Sequence, residues 1–324
     1  MRSFRLLYIA ILTITLFACQ EEKTTTNEPQ EKPKKEKVVI PSFNQDSAYQ
    51  FVADQVTFGS RVNNSKAHDE CAKYLVNKLK SYGCEVIEQD GTVKAYDGQM
   101  LQFKNIIGQI NPELGTRIFI SAHWDSRHIA DQDISKKNEP ILGANDGASG
   151  VGVILELARV LQKNNPGIGV DFFLWDAEDH GNPGTPDSYC LGSQYWTKNI
   201  VPTGYLAKYG INLDMVGAKD ATFPFEGYSY YYAADLCHRV WSIAAKLGYE
   251  SYFPKVNTSA VTDDHFYVSA NANIPCIDII HKEPTSERFH ESWHTHADDM
   301  SVIDKETLKA VGQTLLAVIF TENN

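Results

Sequence analysis

Four of five short acidic or histidine motifs in this chain fall within or just after an apolar run, and that pattern constrains the fold most. The motifs are S-A-H-W-D-S around His123 and Asp125, G-A-N-D-G-A-S-G around Asp146, and L-W-D-A-E-D around Glu178 and Asp179. I-N-L-D-M-V-G around Asp214 and S-W-H-T-H-A-D-D around His294 follow. Each apolar run reads as a buried strand. Carboxylates and imidazoles at strand ends converge on one cleft in an open α/β sheet. Nitrogen and oxygen donors of this kind suit a hydrolase-type zinc ion with one position left open.

The spacing of the remaining residues agrees with such a sheet. Residues 43–57 and 65–81 read as amphipathic helices. In the second, Ala67, Cys71, Tyr74, Leu75 and Leu79 recur at helical spacing and Gly83 supplies the stop. Two strands are expected over 84–95 and 99–110, joined by a hairpin turn at Asp97–Gly98. Residues 117–122, 170–175, 205–215 and 276–280 read as further strands. Residues 148–163, 235–247 and 305–320 read as helices. Alternation of this kind predicts a single-domain mixed α/β fold, with a largely parallel central sheet and helices on both faces. The 117–122 and 170–175 strands are expected to pair in parallel, with the early hairpin adding antiparallel strands.

The chain's 324 residues are 43% hydrophobic and 22% charged, enough for a packed core. A net charge of -11 with no basic cluster in the body argues against a nucleic-acid partner. At the N-terminus, Arg2 and Arg5 precede an apolar stretch over 6–17 that is short for a bilayer span. Leu16-Phe17-Ala18-Cys19 resembles a bacterial lipobox. The expectation is a lipoprotein signal over 1–18, a disordered tether over 19–40 and a catalytic domain over 41–324. The protein would be exported and anchored to a membrane only through a lipid on Cys19. The five other cysteines, an odd number, show no metal-type spacing.

Each motif also has a plainer reading. Asp146 stands where a helix cap is favoured, among Gly143, Gly147 and Gly150. Asp263-Asp264-His265 could simply start a helix. Glu178-Asp179 could be a surface loop, although two adjacent carboxylates behind Phe172-Phe173-Leu174-Trp175 repel each other unless a cation or shared proton compensates. His290, His294 and His296 compete for one ligand role, and spacing does not choose among them.

Taken in order, the motifs resemble the zinc aminopeptidase superfamily, and within it the animal-type glutaminyl cyclases with their bacterial relatives. The resemblance covers roughly residues 45–320. The cyclase subset is favoured by Asn212-Leu213-Asp214-Met215-Val216-Gly217-Ala218, by the doubled Asp263-Asp264-His265, and by Trp293 directly before His294. The resemblance implies one zinc per chain, held by Asp146, Asp179 and His294. Glu178 would be the general acid/base and Asp214 and Asp263 supporting acids. Trp293 and Phe289 would line the substrate pocket. The implied substrate is a peptide or protein with N-terminal glutamine, cyclised to pyroglutamate with loss of ammonia. Aminopeptidases of the superfamily add a second metal at positions equivalent to His123 and Asp214, with Asp146 bridging, and this chain retains both. A partner-binding protein on a dead hydrolase fold is a third reading, which a missing ligand would favour. The chain departs from the common animal pattern in having Glu178-Asp179 rather than two glutamates. It also lacks a tryptophan in 181–186, and its 282–288 loop looks longer.

Overall fold

The structure, a computed structural model, describes residues 38–322; the expected signal, lipobox and most of the tether lie outside these residues. None of its helices is long and apolar enough to cross a membrane.

Two helices, α1 (Gln45–Val56) and α2 (Lys66–Ser81), come first. Asn44 and Ser65 cap them by accepting hydrogen bonds from first-turn N–H groups. Gly83 ends α2 with φ +81°, and the Cys84 N–H donates back to the Leu79 carbonyl at 3.1 Å. Strands β1 (Glu85–Lys94) and β2 (Met100–Ile110) then form the expected antiparallel hairpin around Asp97–Gly98.

The rest alternates: β3 (Arg117–His123), α3 (Ala148–Leu161), β4 (Gly169–Trp175), α4 (Leu191–Lys198), β5 (Gly210–Asp214), α5 (Gly227–Lys246), α6 (Asp264–Ala272), β6 (Cys276–Ile280) and α7 (Lys305–Thr321). The six strands lie in the order β1-β2-β4-β3-β5-β6. β3 is parallel to β4 and to β5, and β5 is parallel to β6; β2 runs antiparallel to β4. Four strands therefore end on one edge. The chain steps from β3 to one side for β4 and then to the other for β5, so the order reverses beside β3. That is where a crevice opens in such sheets.

Strand periodicity divides the core in two. Ile118, Ile120, Ala122, Phe172 and Leu174 face the larger core with α1, α3 and α7. Phe119, Phe173 and Trp175 point the other way, into a smaller core with Trp196 of α4 and Val268 of α6. Helices cover both faces, as the alternation predicts. α3 is buried almost all round, because it lies between the sheet and other helices.

Three expectations differ from the structure. β5 is shorter than the expected 205–215, since Tyr205 closes a turn onto Pro202 and drops its ring into the smaller core. α5 starts eight residues earlier than expected, capped by the fully buried Glu226, and carries a non-helical residue at Ala233. Its tyrosine-rich start has weak helix propensity and is held by packing such as Tyr228 on Phe266. α4 and α6 are single short helices that periodicity does not announce. Between β6 and α7, residues 281–304 hold only one 3-10 turn, at Met300–Val302.

One buried charge cluster pins the sheet centre. Asp171 of β4 accepts from Arg117 Nε and Nη2 at 2.7 Å each, from Tyr205 Oη at 2.7 Å and from Gln109 Nε2 at 3.0 Å. Removing one member leaves the others buried and unpaired. Asp171→Ala is expected to cost about 3–5 kcal/mol in urea unfolding, with Asp171→Asn costing less because it keeps acceptor and shape.

Candidate active site

The C-terminal ends of three of the four parallel strands deliver polar residues to the same place. β3 ends at His123, β5 at Asp214, and the turn after β4 carries Glu178 and Asp179. Asp146 sits in the loop between β3 and α3. The backbone there is tight: Gly147 has φ +92°, and a Cβ on it would lie 2.7 Å from the Asp125 carbonyl and 2.9 Å from the His123 ring. Gly147, not Asp146, is the helix cap, and no side chain caps α3, so the capping reading of Asp146 fails. Ala177, Met215 and His294 have φ of +52°, +50° and +56°. Left-handed backbone at non-glycine residues is strained, and here it sits beside or on the site's functional residues.

Asp146, Asp179 and His294 come together. His294 Nε2 lies 3.4 Å from Asp179 Oδ1 and 3.7 Å from Asp146 Oδ2. A tetrahedral ion with ligand bonds of roughly 2.0–2.1 Å spaces its donors by about 3.3 Å, so these separations suit one zinc-sized cation. Asp146 Oδ2 and Asp179 Oδ2 are buried with no hydrogen-bond partner, which is costly unless a cation takes them. The trio fits the metal that its residue types imply. Of the three competing histidines only His294 joins it. The His296 ring lies 2.7 Å from Asp133 and the His290 ring 2.8 Å from Ser292.

A second set shares Asp146. His123 Nε2 lies 3.0 Å from Asp146 Oδ1 and 3.4 Å from Asp214 Oδ1. The geometry thus keeps the bridging arrangement that a two-metal site uses.

Further residues hold these side chains in place. Asp125 accepts from the N–H groups of Glu178 and Asp179, both at 3.1 Å. Asp298 accepts from those of Asn145 and Asp146, at 2.7 and 3.0 Å. Asp131 lies 3.1 Å from His294 Nδ1 and accepts from Arg127 Nε at 2.6 Å, while Arg127 also donates to Asp179 at 3.0 Å. A carboxylate behind a ligand histidine fixes its ring and raises its basicity. Asp125 and Asp298 stand inside motifs already singled out, so a signal existed. Arg127 and Asp131 carry none, because their role depends on loops meeting in space.

Around the trio, a cleft of about 270 Å³ is lined by Glu178, Asp214, Asp263, Phe289 and Trp293 among others. Every residue expected at the site therefore borders one cavity. Trp293 stacks on the His294 ring at 3.7 Å, and Phe289 packs on Trp293 at 4.9 Å. Oxygens of Glu178 and Asp263 and the Cys190 sulfur lie within 4.8 Å of one another. Asp263 also caps α6, so its plainer reading holds alongside its place in the cleft. The five cysteines in the described residues are all free and buried.

Protonation reflects the crowding. Burial pushes the Glu178 carboxyl well above its usual range; His123 opposes this, and Asp179 and Asp263 add to it. Burial raises Asp214 to about 7, against a hydrogen bond from His123. Asp179 goes the other way: burial disfavours its charge, yet His294 and Arg127 hold it at about 2. One carboxyl is thus kept ionised while its sequence neighbour is kept protonatable, a division typical of catalytic clefts.

The sequence model for peptidase family M28 matches residues 105–319. A solved Zn-dependent exopeptidase from Parabacteroides distasonis is 49% identical over 87% of this chain and 100% of its own, with a TM-score of 0.85. A glutaminyl cyclase from Bacteroides thetaiotaomicron, solved with N-acetylhistamine, is 46% identical over 87% of this chain and 99% of its own, with the same TM-score. A glutaminyl-peptide cyclotransferase of Drosophila melanogaster is 26% identical over 76% of this chain and 73% of its own length.

Asp131→Ala is expected to weaken zinc binding by about 10- to 100-fold while leaving the circular-dichroism spectrum unchanged. Competition with a chromophoric chelator would measure it. An unchanged affinity would remove Asp131 from behind His294.

Proposed function

The chain belongs to peptidase family M28, and from that premise we propose that it is a glutaminyl-peptide cyclotransferase, converting N-terminal glutamine of peptides or proteins to pyroglutamate. The observation that carries the reading is the placement of Glu178. Its carboxyl is 13% exposed at the cleft, next in sequence to Asp179 and within 4.8 Å of Asp263 across the cavity. An intramolecular cyclisation needs one group that takes a proton from the attacking amine and returns it to the leaving nitrogen. It needs no activated water. The whole-length similarity to a glutaminyl cyclase supports the same choice.

Asp146, Asp179 and His294 would hold one zinc per chain. That ion supplies Lewis-acid polarisation of the glutamine side-chain carbonyl. Trp293 and Phe289 wall the cleft and pack on the aliphatic part of the glutamine, placing its α-amine against its own side-chain amide. Such pre-orientation replaces the entropy of a bimolecular encounter. Glu178 accepts one proton from the attacking nitrogen as the ring bond forms. It passes that proton to the amide nitrogen as the carbon–nitrogen bond breaks, and ammonia leaves. Asp263 holds the departing amide, with Asp214 a second acid lining the same cleft. Close acids in a buried cleft can share a proton in this way.

A metallo-aminopeptidase is the second reading, favoured by the His123–Asp146–Asp214 set described above. There Glu178 would be the base for a water molecule.

The two readings part in a single assay. A glutamine-initiated peptide should lose one ammonia while a leucine-initiated peptide stays intact by mass spectrometry; free leucine would establish the aminopeptidase instead. Glu178→Gln should lower kcat by about 10²–10⁴-fold with little change in KM, and full turnover by that variant would end the proton-transfer role. Dialysis against a strong chelator should abolish turnover, and stoichiometric zinc should restore it.

A further inference from the structure

The thiol of Cys190 lies against Glu178, the residue given the proton transfer. Its sulfur is 3.3 Å from Glu178 Oε1, and an Asp263 oxygen lies within 4.8 Å of that sulfur. The other Glu178 oxygen, Oε2, has His123 Nδ1 at 3.9 Å. The main chain repeats the contact. The Cys190 N–H donates to the Glu178 carbonyl at 2.8 Å, and the Leu191 N–H to the Ala177 carbonyl at 2.9 Å. Gly192 packs so closely behind them that a Cβ on it would collide with the Asp176 carbonyl. The start of α4 is therefore locked to the turn that carries Glu178.

A buried cysteine ordinarily serves as a small apolar filler. Cys71, Cys84, Cys237 and Cys276 do so, each inside a hydrophobic cluster, but Cys190 belongs to none. It occupies the N-cap position of α4, where Ser, Thr, Asp or Asn would accept from first-turn N–H groups, yet no side chain caps this helix. It is fully buried and left-handed, with φ +55°, a conformation that costs a non-glycine residue stability. Filling space needs neither that backbone nor a carboxylate at the sulfur. Given the proton-transfer role of Glu178, on which this rests, we propose that Cys190 is a positioning residue for it: the S–H donates to Oε1 and leaves Oε2 as the oxygen that exchanges the proton. Burial, and then the Glu178, Asp264 and Asp263 carboxyls, push the thiol well above its usual range, so it keeps its proton and remains a donor. An S–H is a weak donor, so it orients the carboxyl without competing for the proton that Glu178 must take up and release.

Two measurements test this. Cys190→Ala should lower kcat roughly 3- to 10-fold with KM within about twofold of wild type. Cys190→Ser, which restores a donor, should recover most of the loss. Turnover is read on whichever peptide the wild type converts, glutamine- or leucine-initiated, so the choice between those reactions does not enter. The second measurement needs no turnover. In infrared spectra of the zinc-loaded full chain, the S–H stretching band that Cys190→Ser removes should lie below those of the four other thiols, and Glu178→Gln should move it up. Equal losses in the alanine and serine variants, an alanine variant with wild-type kcat, or a band that Glu178→Gln leaves in place would overturn the proposal. A band that moves while Glu178→Gln keeps full turnover would show the contact to be real and the proton-transfer role wrong, and the positioning role would fall with it. Where Cys190→Ala does not fold, the serine variant and the band decide.

Discussion

Carboxylates gathered in a dry cleft repel one another, and most of the arrangement around this site answers that repulsion. The answer is partly covalent geometry: four parallel strands end on one edge, so the acidic residues arrive with their backbones already fixed. It is partly hydrogen bonding, because Asp125 and Asp298 each take two backbone N–H groups from the very loops that carry the ligands. It is partly charge, through Arg127, which lies between Asp131 and Asp179. What these do not neutralise is left for a cation, and the unpartnered oxygens of Asp146 and Asp179 mark where. Without such restraint the same carboxylates would protonate or push the loops apart.

The same logic recurs away from the metal trio. Glu226 accepts from the N–H groups of Tyr228, Ser229 and Val261, and its other neighbour is His265. It starts α5 and fastens the segment that leads to Asp263. Burial opposes its charge, yet His265 and these donors hold the carboxyl at about 2. Because that value lies below the unfolded one, its contribution is present above the ordinary carboxylate range and fades as pH falls toward 2.

Much of the fold was legible because strands here are either wholly buried or alternate cleanly. Residues 276–280 and 117–122 read correctly from apolar runs bounded by polar ones, and the hairpin from Asp97–Gly98. Elements held by tertiary contacts were not legible. The start of α5 is rich in tyrosine and packs on Phe266, and α4 and α6 are too short to show a period. At the site, motifs singled out Asp146, Asp179 and His294, but only the folded chain separates His294 from His290 and His296. Arg127 and Asp131 escaped notice because an isolated Arg and Asp in a loop look like solvated surface until the loop folds under the sheet edge.

The cleft has two kinds of wall. His123, Glu178, Asp179 and Asp214 are attached to the ends of central strands and Asp146 to the start of α3, whereas Phe289, Trp293 and His294 ride on residues 281–304, which contain almost no regular hydrogen-bonded structure. Opening free energies in a protein follow such differences, from near zero in irregular segments to the global value in the sheet. The scaffold half of the cleft therefore shares the lifetime of the whole domain, while the half walled by Phe289 and Trp293 has a shorter one. Heat would then silence the enzyme in two stages, first by releasing His294 and its aromatic neighbours while the sheet still stands, and only later by unfolding.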